Sequence, residues 1–529
     1  MTAGGEGTWP TIGAMVDAAG GRFGDHPAVI DGDQRLSYRE LAAGARRVGA
    51  ALVAAGVEVG DRVAIWAPNS ASWILAALGV FGSGCVLVPV NTRFKGAEAA
   101  DILARSRARV LFTVTDFIGV DYVALLREAG AELPALTTTV VFQPDAPAGA
   151  VTFDAFLAGA TTASLATLGE RWRAVDTENP SDILFTSGTT GSPKGVVQTH
   201  GRTLTVATDW VAMTGLTAGD RYLMVNPYFH MFGLKAGILA SVAAGAVMLP
   251  ESVFDVDRVL ARVAADAVTV LPGAPTIYQS ILDHPGRDGH DLSTLRVAVT
   301  GAADIPVELI RRIHDELPFR VVVTGYGLTE GGTAAATSPD DDAETVATTV
   351  GRARPSFELR IVDDQGADVP TGEPGEVLLR GRSIMSHYLD DPEATAAALS
   401  PDGWLKTGDL GIIGDDGCLR IVGRSKDMFI VGGFNAYPAE IENALLRHPS
   451  LAQAAVIGVP DHRLGEVGVA FVVPAAGATI DPAEVIAWSR EQMANYKVPR
   501  RVVVVDALPL NATGKVVKDD LRRLAAQDG

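Results

Sequence analysis

Thr186-Ser187-Gly188-Thr189-Thr190-Gly191-Ser192-Pro193-Lys194-Gly195 gathers hydroxyl side chains, glycines and a single lysine into one short stretch. Glycine lets backbone come close to a polyanion, and the hydroxyls, amides and one cation supply donors, so the stretch suits a triphosphate. It is not the P-loop. Counted from Gly188, the place that motif reserves for glycine ahead of its lysine holds Pro193, and Gly195 stands where a Ser or Thr is needed. The mostly apolar run Asp182-Ile183-Leu184-Phe185 just before it reads as a buried strand that delivers the loop.

Four other stretches could carry chemistry. In Gly325-Tyr326-Gly327-Leu328-Thr329-Glu330, a tyrosine between glycines can lay its ring against a base, and Glu330 can hold Mg²⁺ between phosphates. The stretch follows a strand ending at Thr324, and ligands collect at the carboxyl ends of parallel strands. Trp404-Leu405-Lys406-Thr407-Gly408-Asp409 reads as a turn whose carboxylate suits a bidentate acceptor role. Tyr228-Phe229-His230-Met231-Phe232-Gly233 surrounds one histidine with apolar residues, the ordinary setting of a satisfied core imidazole. Lys235 follows in an uncharged run, where a lysine needs a partner or loses its charge. Two readings stand for it, a structural ion pair or a contact with a polar group of a substrate. Pro509-Leu510-Asn511-Ala512-Thr513-Gly514-Lys515 is by composition a turn ending in a solvent lysine.

Something large must position these residues. The chain has 529 residues, 47% of them hydrophobic, which is room for several cores. A net charge of -19 leaves no cationic excess for nucleic acid, so an anionic ligand must be met by local donors. Cys85 and Cys418 lie far apart in apolar or turn settings, which fits a reducing cytoplasm rather than a disulfide framework. The first residues, 1–11, show no secretory signal. The uncharged run 74–90 approaches a membrane span in length, but Gly82, Ser83, Gly84 and Pro89 break it into a buried helix, a turn and a buried strand.

A helix is expected over 37–56, with Ser37 and Glu40 as a capping box and Leu41, Ala45, Val48 and Leu52 on one face. Strands at 62–66, 86–90 and 110–114 alternate with helices near 72–81 and 97–106. The same rhythm returns with helices at 258–265, 275–282 and 306–316 and strands at 268–271, 296–300 and 320–324. Such alternation implies parallel sheets covered on both faces. The stretch 135–173, with Pro144 and Pro147, reads as an irregular connection between two lobes. From about 338, short strands at 358–362, 376–380 and 418–422 suggest an antiparallel unit. After 424–427 a last segment mixes helices at 438–447 and 482–493 with strands at 454–458 and 468–473, enough for one small domain. The fold class is therefore α/β, with a large N-terminal domain of parallel sheets plus a β unit over 1–423, a hinge at 424–427 and a small α+β domain over 428–529.

The decapeptide at 186–195 resembles the phosphate-binding signature of the adenylate-forming superfamily of acyl-CoA synthetases, luciferases and peptide-synthetase adenylation domains, and 325–330 resembles its second signature. The resemblance extends over 28–518. It implies that Thr186, Ser187, Gly188, Thr189, Thr190, Gly191 and Lys194 cradle ATP, and that Tyr326, Gly327 and Gly301-Ala302-Ala303 form the adenine slot. It gives Thr329 to the α-phosphate, Glu330 to Mg²⁺, Asp409 to both ribose hydroxyls and Arg424 to ribose and phosphate. His230 would stand at the mouth of the acyl pocket, lined also by Gly301 and Gly325; if the substrate reading of Lys235 holds, it would face a polar group of the acid there. Lys515 would reach the carboxylate and α-phosphate during adenylation, with Thr186, Glu330 and His230 as the other catalytic groups. A mobile C-terminal domain would then turn about Lys426, so that Gly432-Gly433-Phe434 builds a channel for the pantetheine of coenzyme A.

Within the superfamily, 182–191, 232–239, 271–280 and 345–351 resemble actinobacterial ligases of steroid ring degradation, implying a bicyclic dioxo-octahydroindene propanoate as the acid. A medium- or long-chain fatty acyl-CoA ligase carries the same signatures, and a non-catalytic nucleotide-binding protein could use the same fold. A peptide-synthetase domain would need an aspartate for its substrate amine within 228–233 and a carrier domain after 529, and neither is there. The implied partners are a carboxylic acid, ATP and coenzyme A, with a homodimer left open. The short turn at 509–515 also offers Lys515 to a lysine acetyltransferase, which would delete its charge.

Overall fold

Residues 9–186, 193–301, 307–424, 427–431, 434–493, 495–511 and 515–527 are described by the structure, a computed structural model. The strands Val86–Pro89, Arg62–Trp66, Val110–Thr113 and Thr138–Val141 run parallel in an eight-stranded sheet. A second, nine-stranded sheet has Val247–Pro250, Arg221–Met224, Val270–Gly273, Val297–Gly301 and Val321–Leu328 as its parallel centre. One apolar cluster joins Val63 and Val110 of the first sheet to Met248 and Val297 of the second, through Trp73 and Leu78 of the helix Ala71–Gly82. Every residue of that helix except Ser72 is buried, which explains its unbroken hydrophobicity. It then turns at Ser83 and Gly84, whose φ is +76°, into the strand Val86–Pro89. Among the described residues no helix is long and apolar enough to cross a membrane.

Local signals position the elements much as expected. Helix Tyr38–Ala54 starts on the reciprocal cap: the Ser37 N–H donates to Glu40 Oε2 at 2.8 Å and the Glu40 N–H donates to Ser37 Oγ at 3.3 Å. Both sheets depart from purely parallel pairing at their edges, where Pro180–Thr186 pairs antiparallel with Lys194–Thr199 and Val321–Leu328 with Gly332–Ala336. The connection expected at 135–173 is overturned. It contains Thr138–Val141, which extends the first sheet, and the helices Phe153–Ala158 and Thr162–Ala174. Trp172 of the latter fills notches at Gly82 and Gly13, where an added Cβ would stand 1.7 Å and 2.8 Å from its ring.

The β unit is a four-stranded antiparallel sheet of Phe357–Val362, Gly375–Gly381, Leu405–Ile413 and Leu419–Arg424. The C-terminal sheet combines Phe434–Ala436, Phe429–Val431, Gly465–Pro474, Leu451–Asp461 and Arg501–Val504, with helices Pro438–Leu445, Pro482–Gln492 and Lys518–Gln527. At the junction Arg424 ends its strand and Asp427 pairs with Arg522 at 3.0 Å, while Lys426 lies outside the described residues.

Candidate active site

The two ends of the phosphate signature lie on antiparallel strands. Thr186 and Lys194 face each other across its antiparallel strands, and Thr186 Oγ1 donates to the Lys194 carbonyl at 3.4 Å. Ser187, Gly188, Thr189, Thr190 and Gly191 lie outside the described residues, as do Ala302, Ala303, Gly432 and Gly433. The Lys194 ammonium stands 5.1 Å from the centre of the Tyr388 ring, a cation–π distance.

The second signature is more regular than a loop. Its strand runs through Thr324 to Leu328, with a bulge between Tyr326 and Gly327, and turns at Thr329 and Glu330. Gly301 and Gly325 are paired on neighbouring parallel strands, and a Cβ on Gly301 would stand 2.7 Å from the Gly325 carbonyl oxygen. Glycine is therefore what keeps this wall flat. Tyr326 donates its phenol to Asp409 Oδ2 at 2.6 Å, bringing together the two residues expected at adenine and ribose although they sit on different sheets. Asp409 is buried, its N–H donates to Thr407 Oγ1 at 3.0 Å, and its strand partner is Arg424.

Glu330 Oε1 accepts from the Tyr388 hydroxyl at 2.8 Å. Burial, then the Glu330 charge, push the Tyr388 phenol well up, so it keeps the proton it donates. Among the described residues no three ligating side chains form a metal cluster. A half-buried carboxylate beside the phosphate signature instead fits Mg²⁺, which binds through one or two carboxylates together with substrate phosphates. Nothing local marks Tyr388 in the sequence, because its role depends on a strand pairing across the molecule.

His230 caps the short helix Met231–Gly233, and its Nδ1 accepts from the Phe232 N–H at 3.2 Å. Burial first, and then the Lys515 cation, push its imidazole down to about 4, so it is neutral at pH 7 with its proton on Nε2. The Lys515 cation thus acts electrostatically on the histidine expected at the acyl mouth. Lys515 is tied to Asn511 twice: its N–H donates to Asn511 Oδ1 at 2.9 Å, and its carbonyl accepts from the Asn511 N–H at 2.8 Å. Gly233 is required where it stands, since a Cβ would lie 2.2 Å from the Pro227 carbonyl oxygen.

Lys235 is the correction. It sits in the π-helical turn Leu234–Leu239 with no exposure, and its Nζ lies 2.9 Å from Asp182 Oδ2, itself unexposed. Nζ also donates to Thr203 Oγ1 at 3.0 Å, while Thr203 and Ser181 each donate to Asp182 Oδ1 at 2.7 Å. Of the two readings open to it, the structural ion pair is the one realised, and the acid-facing role is withdrawn because the ammonium is enclosed among these groups. The acid Asp182 in an apolar strand is the local signal that could have pointed to its partner.

Comparison with known proteins agrees with this architecture. Residues 16–389 match the family model for AMP-binding enzymes and 440–515 that for the AMP-binding enzyme C-terminal domain. The 3-[(3aS,4S,7aS)-7a-methyl-1,5-dioxo-octahydro-1H-inden-4-yl]propanoyl:CoA ligase of Mycobacterium tuberculosis is 50% identical over 97% of this chain and 99% of its own. The protein of the same name from Rhodococcus jostii is 47% identical over 97% of this chain and 98% of its own. The crystal structure of the anthranilate CoA ligase AuaEII in complex with anthranoyl-AMP superposes with a TM-score of 0.89 at 28% identity, covering 100% of this chain and 99% of that one. Matched over both domains and along nearly its whole length, the chain belongs to the AMP-binding enzyme family.

Proposed function

We propose that the protein is an ATP-dependent acid–CoA ligase that forms an acyl-adenylate and then a thioester, acting on a bicyclic methyl-dioxo-octahydroindene propanoate. The observation that carries the reading is the match to the AMP-binding enzyme family over 16–389 and 440–515, with Tyr326 bonded to Asp409 inside it. In the first step a carboxylate oxygen attacks the α-phosphorus of ATP, the bond to the β-phosphate breaks, and pyrophosphate leaves. Lys515 supplies a cation where charge builds on carboxylate and α-phosphate, and His230 orients the acid with an Nε2–H. Thr186, Lys194 and residues 187–191 hold the phosphates, Tyr326 and the Gly301 wall hold the base, and Asp409 takes the ribose hydroxyls. Bound Mg²⁺, held by Glu330, would neutralise charge on the phosphates. In the second step the CoA thiolate attacks the acyl carbon and AMP leaves. The C-terminal domain would turn about Lys426 beforehand, with Gly432 and Gly433 in the new face and Arg424 and Thr329 still on the nucleotide. The substrate rests on the likeness to the two ligases of that name. Cytoplasmic location suits the two free, buried cysteines, and acetylation of Lys515 would delete the cation that the first step uses.

The test separates the half-reactions. Lys515→Ala should lower acid-dependent ATP–pyrophosphate exchange by about 100-fold or more, the scale of one lost charge-stabilising donor. It should still convert supplied acyl-adenylate and CoA to thioester. Equal loss of both half-reactions refutes the mechanism, and a kcat/KM for a plain medium-chain acid above that for the bicyclic acid refutes the substrate.

A further inference from the structure

One short segment touches both phosphate-handling signatures. The Met385 N–H donates to the Glu330 carbonyl at 2.6 Å, and the Leu389 N–H donates to the Gly195 carbonyl at 2.7 Å. Between them the strand His387–Tyr388 lies antiparallel to Lys194–Thr199, with Tyr388 opposite Val196. Its backbone is therefore fixed against the lysine-bearing strand on one side and the carboxylate-bearing turn on the other. Tyr388 uses this position twice: its hydroxyl binds one Glu330 oxygen at 2.8 Å, and its ring carries the Lys194 ammonium at 5.1 Å. Only 8% of the residue is exposed, so neither contact is a chance surface meeting.

We propose that Tyr388 is a positioning residue that sets the distance and orientation between Glu330 and Lys194, and so the cradle for a metal–triphosphate. Its hydroxyl holds one carboxylate oxygen of Glu330, which would bind the ion, while its ring face restrains the Lys194 ammonium, which would meet the phosphates. One aromatic side chain thereby holds an anion that must meet a cation and a cation that must meet an anion, and keeps them from collapsing onto each other before ATP arrives. The proposal rests on the acid–CoA ligase reading of the site.

Tyr388→Phe removes the hydroxyl and keeps the packing and the ring; Tyr388→Leu removes both contacts. Binding of ATP to the purified protein, without acid, is measured calorimetrically with Mg²⁺ and with a chelator. A hydrogen bond to a charged group predicts that Tyr388→Phe loses about tenfold of the Mg²⁺-dependent gain in ATP affinity. Affinity for metal-free ATP should stay within about twofold of wild type, the tolerance for independent sites. Tyr388→Leu should weaken metal-free ATP as well, by about two- to fivefold for the lost cation–π contact. In a Glu330→Gln background, Tyr388→Phe should have no further effect. A merely structural tyrosine would weaken ATP equally with and without metal, or act alike in both backgrounds, and either result overturns the assignment. If wild type itself gains nothing from Mg²⁺, the ligase reading of this site falls with it; if wild type gains and Tyr388→Phe gains equally, only Tyr388 is wrong.

Discussion

Lys235→Met tests whether the buried lysine is a structural partner or a substrate contact. Lys235 and Asp182 have no exposed surface and lie 2.9 Å apart. Burial pulls the ammonium below its usual range while Asp182 pulls it back, so each charge is present at the other's expense of desolvation. Methionine fills the same volume but strands the carboxylate with the Thr203 and Ser181 hydroxyls, both on Oδ1. Leaving one partner of a buried pair costs about 3–5 kcal/mol. Lys235→Met combined with Asp182→Asn should regain most of the loss, since no charge remains to strand. Urea unfolding of the three proteins reads both outcomes. A loss under about 1 kcal/mol for Lys235→Met, together with a raised KM for the acid, would refute the structural account and restore the substrate contact.

Two further outcomes follow from the same physics. Burial pushes His200 down to about 4, only partly offset by Asp182 and Asp176, so between pH 6.5 and 4 the unfolded chain binds the extra proton and stability falls with pH. That group alone should remove up to about 3 kcal/mol over the window, and His200→Phe should flatten that part of the urea-unfolding pH profile; an unchanged slope would refute it. Gly301→Ala places a Cβ 2.7 Å from the Gly325 carbonyl oxygen, so it should cost about 1–3 kcal/mol and weaken ATP binding by about tenfold. An alanine variant that binds ATP as wild type does would show that the two strands separate freely there.

Much of the frame was readable because its signals are local. The strand Arg62–Trp66 and the helix Pro275–Leu282 fall where apolar periodicity and an N-terminal proline put them, and the Ser37–Glu40 cap announces its helix. What escaped depends on contacts distant in the chain. The helix Thr162–Ala174 has many Ala and Thr residues and no clean stripe, and it is held by Trp172 entering gaps left by Gly13 and Gly82. The strand ending at Leu328 looked like a loop from Gly325 onward because its glycines hide an antiparallel partner. The site signatures were legible as motifs, whereas the bonds that join them, Tyr326 to Asp409 and Tyr388 to Glu330, cross from one element to another far along the chain.

In the proposed mechanism those cross-element bonds hold the nucleotide side, so a moving C-terminal domain would bring a single ammonium and would not need to build the cradle. Burial and the Lys515 cation together keep the His230 imidazole neutral. The coupling is reciprocal: a cation that lowers the affinity of His230 for a proton is itself repelled once the proton binds. Protonation of His230 as pH falls toward about 4 would set two like charges against each other and, in the proposed mechanism, favour withdrawal of the lysine. A carboxylate bound between the two groups would attract both, so in that mechanism substrate binding would stabilise the domain placement that the first step needs.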